Sequence, residues 1–223
     1  MNETLSRENA KSISHLDIQI LFCQRPMNEG SYFEVKKQIE SSGLITPVFS
    51  EVISLIDHAW KNPEEKFSKE IIALSNDLGI WAYTGILFLP KEGVYIEDHP
   101  QVEGSIFHRA IKMDRVDLEK KLASEDKKVR FIKWGQKTVS KSSEDEVVLA
   151  LAGVDGAKKY GEIKTTRYGL SRAGWSMEHR HYGLTQPRRF YPCYRKGSIY
   201  FYPEAASEDD WPASGYGILP KTE

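Results

Sequence analysis

The chain is poor in cysteine, which limits its redox and metal chemistry. Of its 223 residues only Cys23 and Cys193 are cysteines, and they lie 170 positions apart. Neither belongs to a CxxC motif, which excludes a zinc ribbon and a thioredoxin-type site. Two scattered cysteines are typical of a reducing compartment, where they pack as small apolar side chains. We therefore expect a cytoplasmic protein.

Long apolar runs and familiar catalytic signatures are absent as well. No stretch approaches the roughly 20 apolar residues that a membrane span needs, and the N-terminus MNETLSRENAKSISH lacks the apolar centre of a secretory signal. The chain contains no P-loop, GxGxxG, HExxH or GxSxG motif. A hydrophobic fraction of 40% and a charged fraction of 28% are ordinary for a globular protein. We expect a folded protein without a membrane partner.

The patterns that are present begin with a strand and a group of helices. Alternating apolar residues at 16–23 predict the strand. A first helix is predicted at 31–43, from a capping box to a glycine, and two more are predicted to start at Thr46-Pro47 and Asn62-Pro63. Because almost no chain joins the second and third helices, we expect them to form an antiparallel pair.

The remainder predicts strands with two further helices. Strands are predicted at 80–89, 94–97, 106–113 and 129–134, and a hairpin is predicted from 190–194 and 198–202. One helix is predicted at 114–123, capped by Asp114, and another opens at 143–146 with an apolar stripe that includes Val154. From Lys164 onward the sequence shows no helical period.

Together these patterns predict an α+β fold. An N-terminal strand and a helical pair pack on a mostly antiparallel sheet, and an irregular β-rich C-terminal region follows. We divide the chain into a flexible tail at 1–14, an α+β domain at 15–136 and a second unit at 142–223 that holds a helix and the β-rich region. A single domain is the alternative.

One segment, 158–202, is both basic and aromatic, and we call it the basic-aromatic segment. It holds ten Lys or Arg, ten Phe, Tyr or Trp and only two acids, so its formal charge is +8. The rest of the chain has a formal charge of −9, so the net charge of −1 does not reveal this uneven distribution. Because cations attract phosphate and flat rings can stack on bases, the segment indicates a polyanionic partner.

The candidate ligand-binding residues all lie in this segment: Arg167, Arg172, Trp175, Arg180, Arg188, Arg189, Tyr191, Arg195 and Lys196. The segment also supplies the charge of Lys164. The same composition fits a twisted sheet whose tyrosines pack inward beneath arginine side chains. It also fits a protein interface, where Arg and Tyr are enriched.

Two histidines give the segment a possible chemistry. His179 and His181 would share one face of a strand, and Asp98-His99 and His108 could add ligands or a proton relay. A third ligand is missing from the pair and Arg180 would repel a dication, so we predict neither a metal nor a cofactor. The two histidines remain weak candidates for general acid or base. We expect Cys193 to be a buried structural thiol.

Three functions follow from these residues. The leading one is a binding protein whose partner is a polyanion, with single-stranded nucleic acid or RNA preferred because no recognition helix is present. The second is an enzyme acting on a phosphate-bearing or nucleotide substrate with Arg and His residues from 179–195. The third is a structural or assembly protein with an Arg/Tyr interface.

Overall fold

The fold is α+β, as predicted. The computed structural model of the protein describes residues 10–90, 92–105, 108–133, 144–168, 175–176, 188–196, 198–203 and 212–221. The helices of these ranges are α1 (Tyr32–Ser41), α2 (Phe49–Lys61), α3 (Lys66–Asp77), α4 (Arg115–Ala123) and α5 (Glu146–Tyr168). The strands are β1 (Ala10–His15), β2 (Ile18–Cys23), β3 (Ile80–Trp81), β4 (Thr84–Leu89), β5 (Gly93–Asp98), β6 (Gln101–Ser105), β7 (His108–Lys112), β8 (Val129–Lys133), β9 (Trp175–Ser176), β10 (Arg188–Arg195) and β11 (Ser198–Pro203).

The N-terminal part is a hairpin, where one strand was predicted. β1 and β2 pair antiparallel, and Leu16 takes a φ of 51° in the turn between them. β1 therefore begins inside the segment predicted as a tail. Its sequence, AKSISH, is mostly polar, and only Ile13 and His15 of this strand are buried, so it carries a weak strand pattern.

Local capping signals explain where α1 and α4 begin. Ser31 and Glu34 form the predicted capping box at α1, and the Asp114 side chain accepts a hydrogen bond from the backbone N of Asp117 at α4. These bonds satisfy amide groups that a helix N-terminus otherwise leaves unpaired. The predicted starts of both helices are confirmed.

The predicted starts of α2 and α3 are wrong by two or three residues. The N-cap of α2 is Val48 instead of Thr46, because Pro47 offers its carbonyl to the backbone N of Tyr83 at 2.8 Å and stays outside the helix. The N-cap of α3 is Glu65, and a turn closed by a hydrogen bond from Glu65 N to Asn62 O precedes it. The pairing of Pro47 with Tyr83 displaces the start of α2, and the turn at Asn62 displaces the start of α3.

The central sheet has the order β8-β5-β4-β10-β11-β9, with β3 paired to β10 as well. Its neighbours are antiparallel except for β11 and β9, which are parallel. The predicted C-terminal hairpin is confirmed by β10 and β11. Because β10 also pairs with β4, the sheet joins strands from both sides of the division that the sequence suggested near residue 142.

Both faces of this sheet are covered. All six residues of β4 are buried, and they alternate between two core clusters: Ile86 and Phe88 belong to one, Leu87 and Leu89 to the other. The first cluster includes residues of α2, α3 and α5, and the second includes residues of α1, α4 and β7. A strand buried on both faces reads as a continuous apolar run, which explains why β4 shows no polar alternation.

Helix α5 is longer than predicted and is broken at Gly153. This glycine has φ 69° and ψ 177°, a region open almost only to glycine. The break turns Val154 away from the predicted apolar stripe and leaves it 81% exposed, whereas Val147, Val148 and Leu151 are buried as expected. The helix continues through Lys164 to Tyr168, so the prediction that helical structure ends before Lys164 is wrong.

The segment 212–221 passes through the core. Ile218 bridges both Phe22 and Ile45, and Tyr216 is fully buried against Phe67, with ring centroids 5.7 Å apart. None of the helices in the described ranges is long and apolar enough to cross a membrane.

Candidate functional site

The basic-aromatic segment contributes the C-terminal part of α5, β9, β10 and most of β11 to the fold, and its described rings are internal. Tyr160 and Tyr194 are fully buried, and their rings meet edge to face with centroids 6.4 Å apart. Rings in such a position cannot stack on the bases of a nucleic acid. For these two tyrosines the structural interpretation, inward packing, is confirmed.

The predicted ligand-binding residues are only partly within the described ranges. Trp175 lies in β9, and Arg188, Arg189 and Tyr191 lie in β10, where Arg188 pairs with Phe88 and Arg189 with Leu87. The remaining predicted residues without a described position are Arg172, His179, Arg180 and His181. The structure thus places four of the candidates by their backbone and three, described next, by their side chains.

Arg167 fastens the end of α5 to the end of α2. Its guanidinium carbon lies 5.3 Å from the centroid of the Trp60 ring, and its Nη2 donates a hydrogen bond of 2.9 Å to the Trp60 carbonyl. Stacking on an aromatic face is a favourable use of an arginine. Arg167 is still exposed, so one side of its cation remains available to an anion.

The hairpin turn carries Arg195 and Lys196 at its tip. Lys196 is exposed and takes a φ of 48°, and its backbone N donates to the Ser75 carbonyl at 2.8 Å, which fixes the turn against α3. Arg195 is half-buried. Cys193, two residues earlier, is fully buried, and this burial raises the pKa of its thiol to about 12. The expectation of a buried thiol is confirmed.

Lys164 lies in the interior, which corrects its assignment as a surface cation. Only 2% of the residue is exposed, and its Nζ lies 5.6 Å from the centroid of the Tyr160 ring. Burial lowers the pKa of the amino group to about 8, and the carboxylate of Asp145 opposes this shift. The signal available in the sequence was the spacing of four residues from Tyr160 to Lys164, which places both on one helix face.

A second polar site, at one end of β4 and β5, was missed by the sequence analysis. Asp98 forms a bidentate pair with Arg130, with distances of 2.6 Å from Nη1 to Oδ2 and 2.9 Å from Nη2 to Oδ1. Thr84 donates to Asp98 Oδ1 at 3.0 Å, and its own Oγ1 accepts from the backbone N of Phe49. Three hydrogen bonds thus hold the Asp98 carboxylate in place.

Glu51 lies beside this site at the start of α2. Its Oε2 accepts a hydrogen bond of 2.8 Å from the backbone N of Val48. Burial raises the pKa of Glu51 to about 7, and the nearby charge of Asp98 adds to the rise. The carboxyl group therefore changes its charge near neutral pH, whereas local sequence shows only a helix-capping glutamate.

A third polar site joins β1, α2 and α5. The Nδ1 of His15 lies 2.9 Å from Ser54 Oγ, and Lys159 donates to the same oxygen at 3.2 Å while pairing with Asp155 at 2.6 Å. Burial lowers the pKa of His15, as does the charge of Lys159. Only 1% of Ser54 is exposed, so a substrate cannot reach its hydroxyl, and the network is structural.

No group of three or more His, Cys, Asp or Glu side chains suited to a metal occurs among the described residues. Comparison with protein families, with curated proteins and with solved structures finds no match.

Proposed function

We propose that this protein is a non-enzymatic, cytoplasmic binding protein whose basic-aromatic segment contacts a polyanionic partner, with single-stranded nucleic acid or RNA as the preferred partner. The observation that carries the proposal is the charge distribution, +8 in 45 residues against −9 in the rest. Such a separation creates a local potential that attracts polyanions although the total charge is close to zero.

The described contacts favour recognition by charge over recognition by Tyr160 and Tyr194. Both of these rings are buried and only 2% of Lys164 is exposed, whereas Arg167 and Lys196 are exposed. Cations that contact phosphates add affinity without sequence preference. We therefore expect broad specificity and a steep dependence on salt.

The test is fluorescence anisotropy with a labelled single-stranded oligonucleotide of mixed sequence, titrated at several salt concentrations. Each phosphate contact in a single strand contributes a slope of roughly −0.7 to the logarithm of affinity against the logarithm of salt. Arg188→Ala/Arg189→Ala should therefore weaken binding at low salt and reduce the slope by about 1.4. Affinity that does not change with salt would overturn the proposal.

Matched variants test whether binding depends on the cations of the basic-aromatic segment or only on the net charge of the protein. Lys127→Ala/Lys128→Ala also removes two adjacent cations, both exposed and outside the segment, and we expect nearly unchanged affinity. Because Arg188 and Arg189 lie within β10, their removal can affect folding. The exposed pair Arg167→Ala/Lys196→Ala provides a second test, and equal losses in this pair and in the control pair would contradict the assignment.

A further inference from the structure

Strand β8 forms one edge of the central sheet. It stands at the end of the strand order, and among the described residues it pairs only with β5. An edge strand presents backbone N–H and C=O groups that can pair with a further strand. We therefore asked which groups of β8 face outward and what kind of strand they would accept.

The register shows which backbone groups face outward. The backbone N of Asp98 donates to the carbonyl of Lys128 at 2.9 Å, and these two residues continue the register of β5 and β8. Because the direction of hydrogen bonding alternates along an antiparallel strand, Ile132 also bonds to β5. The N–H and C=O groups of Phe131 and Lys133 then point away from the sheet, and no backbone group within the described ranges pairs with them.

The middle of this edge is apolar on both faces. The ring of Phe131 packs on Tyr95, with centroids 4.5 Å apart, whereas Ile132 packs against the core cluster of the opposite face. Both residues remain only half-buried. An added strand would cover the rest of their apolar surface, which favours its binding.

The two ends of the edge are cationic. Lys127 and Lys128 precede β8 and Lys133 ends it, and all three are exposed. No ion pair within the described part of the chain includes these lysines. The stretch 127–133 holds four cations and no acid. Such an edge repels the same edge of a second copy, but it attracts a strand that carries carboxylates at its ends.

We propose that β8 binds an extended acidic segment of a partner protein as an additional strand of the central sheet. The outward backbone groups of Phe131 and Lys133 supply the hydrogen bonds of this pairing, and the exposed lysines select a partner with carboxylates. The edge lies outside the basic-aromatic segment, so this inference is independent of the proposed binding of a polyanion.

Residue-resolved hydrogen exchange on the isotope-labelled full chain tests the pairing. The probe is the peptide acetyl-EEVTVEE-amide, which has acidic ends and a β-prone centre. In the unbound protein we expect the Phe131 amide to exchange quickly and the Ile132 amide, which bonds to β5, to exchange slowly. The peptide should slow exchange at Phe131 and Lys133 and leave Ile132 unchanged. A Phe131 amide that is already protected without peptide, or that the peptide does not protect, would overturn the proposal.

A modified peptide separates strand pairing from attraction between charges. The same sequence with N-methyl groups on its three central amides keeps every carboxylate but loses donors that an added strand uses. We expect it to bind wild-type protein about tenfold more weakly than the unmodified peptide, as measured by fluorescence anisotropy. Equal affinity would show that charge alone attracts the peptide and would contradict the proposal.

Variants of the chain locate the binding edge. Lys133→Pro removes a cation and an outward N–H at an edge, where proline is tolerated, whereas Lys133→Ala removes the cation alone. We expect the proline variant to bind the peptide about fivefold more weakly than the alanine variant. Equal binding by the two variants would count against the pairing. A wild-type dimer that Lys133→Pro converts to a monomer would identify a second copy as the occupant and would also overturn it.

Two pairs of cations distinguish this edge from the basic-aromatic segment. Lys127→Ala/Lys128→Ala should weaken binding of the peptide, and Arg167→Ala/Lys196→Ala should leave it unchanged. The effects on the oligonucleotide are expected to be the reverse, so either proposal can fail without the other. Equal losses of peptide affinity in the two pairs would overturn the assignment to β8.

Discussion

Asp98 is partly buried and Lys164 is almost fully buried, and the fold compensates their charges in different ways. Asp98 receives two hydrogen bonds from Arg130 and one from Thr84. The Nζ of Lys164 lies 5.6 Å from the centroid of the Tyr160 ring, and the charge of Asp145 also acts on it. The comparison indicates that Asp98 supports the fold, because it joins β5 to β8 and, through Thr84, to the start of α2. The described ring contact of Lys164 is with Tyr160 of its own helix.

The largest expected effect on stability comes from removing the carboxylate of Asp98, whose charge is compensated by hydrogen bonds. Asp98→Ala leaves Arg130 and Thr84 without their acceptor. Because this ion pair is partly buried, we expect a loss of about 2 kcal/mol. Urea denaturation at pH 7 measures the loss in the free energy of unfolding. Glu64→Ala removes an exposed carboxylate that pairs with Lys69, and we expect no measurable change from it. Equal effects of both substitutions would contradict the role of Asp98.

Removing the charge of Lys164, which has fewer compensating contacts, should stabilise the protein. Lys164→Met replaces a buried ammonium with an apolar side chain of similar length, which we expect to stabilise the protein by about 1–2 kcal/mol at pH 7. The folded-state pKa of Lys164, about 8, lies below its usual 10.5, so the folded protein binds this proton more weakly than the unfolded chain does. Wild-type stability therefore rises between pH 8 and 10.5, and the advantage of the variant should fade over that interval.

A smaller effect on stability is expected from substituting Glu51, which lies beside the Asp98 site. Its folded-state pKa of about 7 is above the usual 4.5, so its ionisation costs stability as the pH rises from 4.5 to 7. Glu51→Gln keeps an acceptor for the Val48 amide and should stabilise the protein by about 1 kcal/mol at pH 8, and not at pH 4. Thermal unfolding at both pH values measures the difference. A gain in stability of the same size at pH 4 would show that the charge of Glu51 is not the cause of the gain.

A matched control exists at the start of α1. Glu34 makes the corresponding capping contact with Ser31 at an exposed position. Glu34→Gln therefore makes the same chemical change without burial of the side chain, and we expect no gain in stability from it.

Predictions from local pattern succeeded where the deciding contacts are close in sequence. The capping residues Ser31 and Asp114 lie three positions from the groups that they bind, and the hairpin of β10 and β11 closes through a short turn. The candidate site was predicted less well. Sequence pattern marked Lys164 as basic and Tyr160 as aromatic, but it did not extend α5 far enough to place them on one helix face.

The amino-acid sequence by itself determined the α+β class, the order of most helices and strands, and the concentration of positive charge at 158–202, because these depend on composition and on contacts between near neighbours. Tertiary structure decided which charges are buried and what compensates them. Arg130 meets Asp98 across 32 positions and Ser54 meets His15 across 39, and such contacts leave no local pattern. The basic-aromatic segment is basic by sequence, but packing alone places Tyr160, Lys164 and Tyr194 inside the protein.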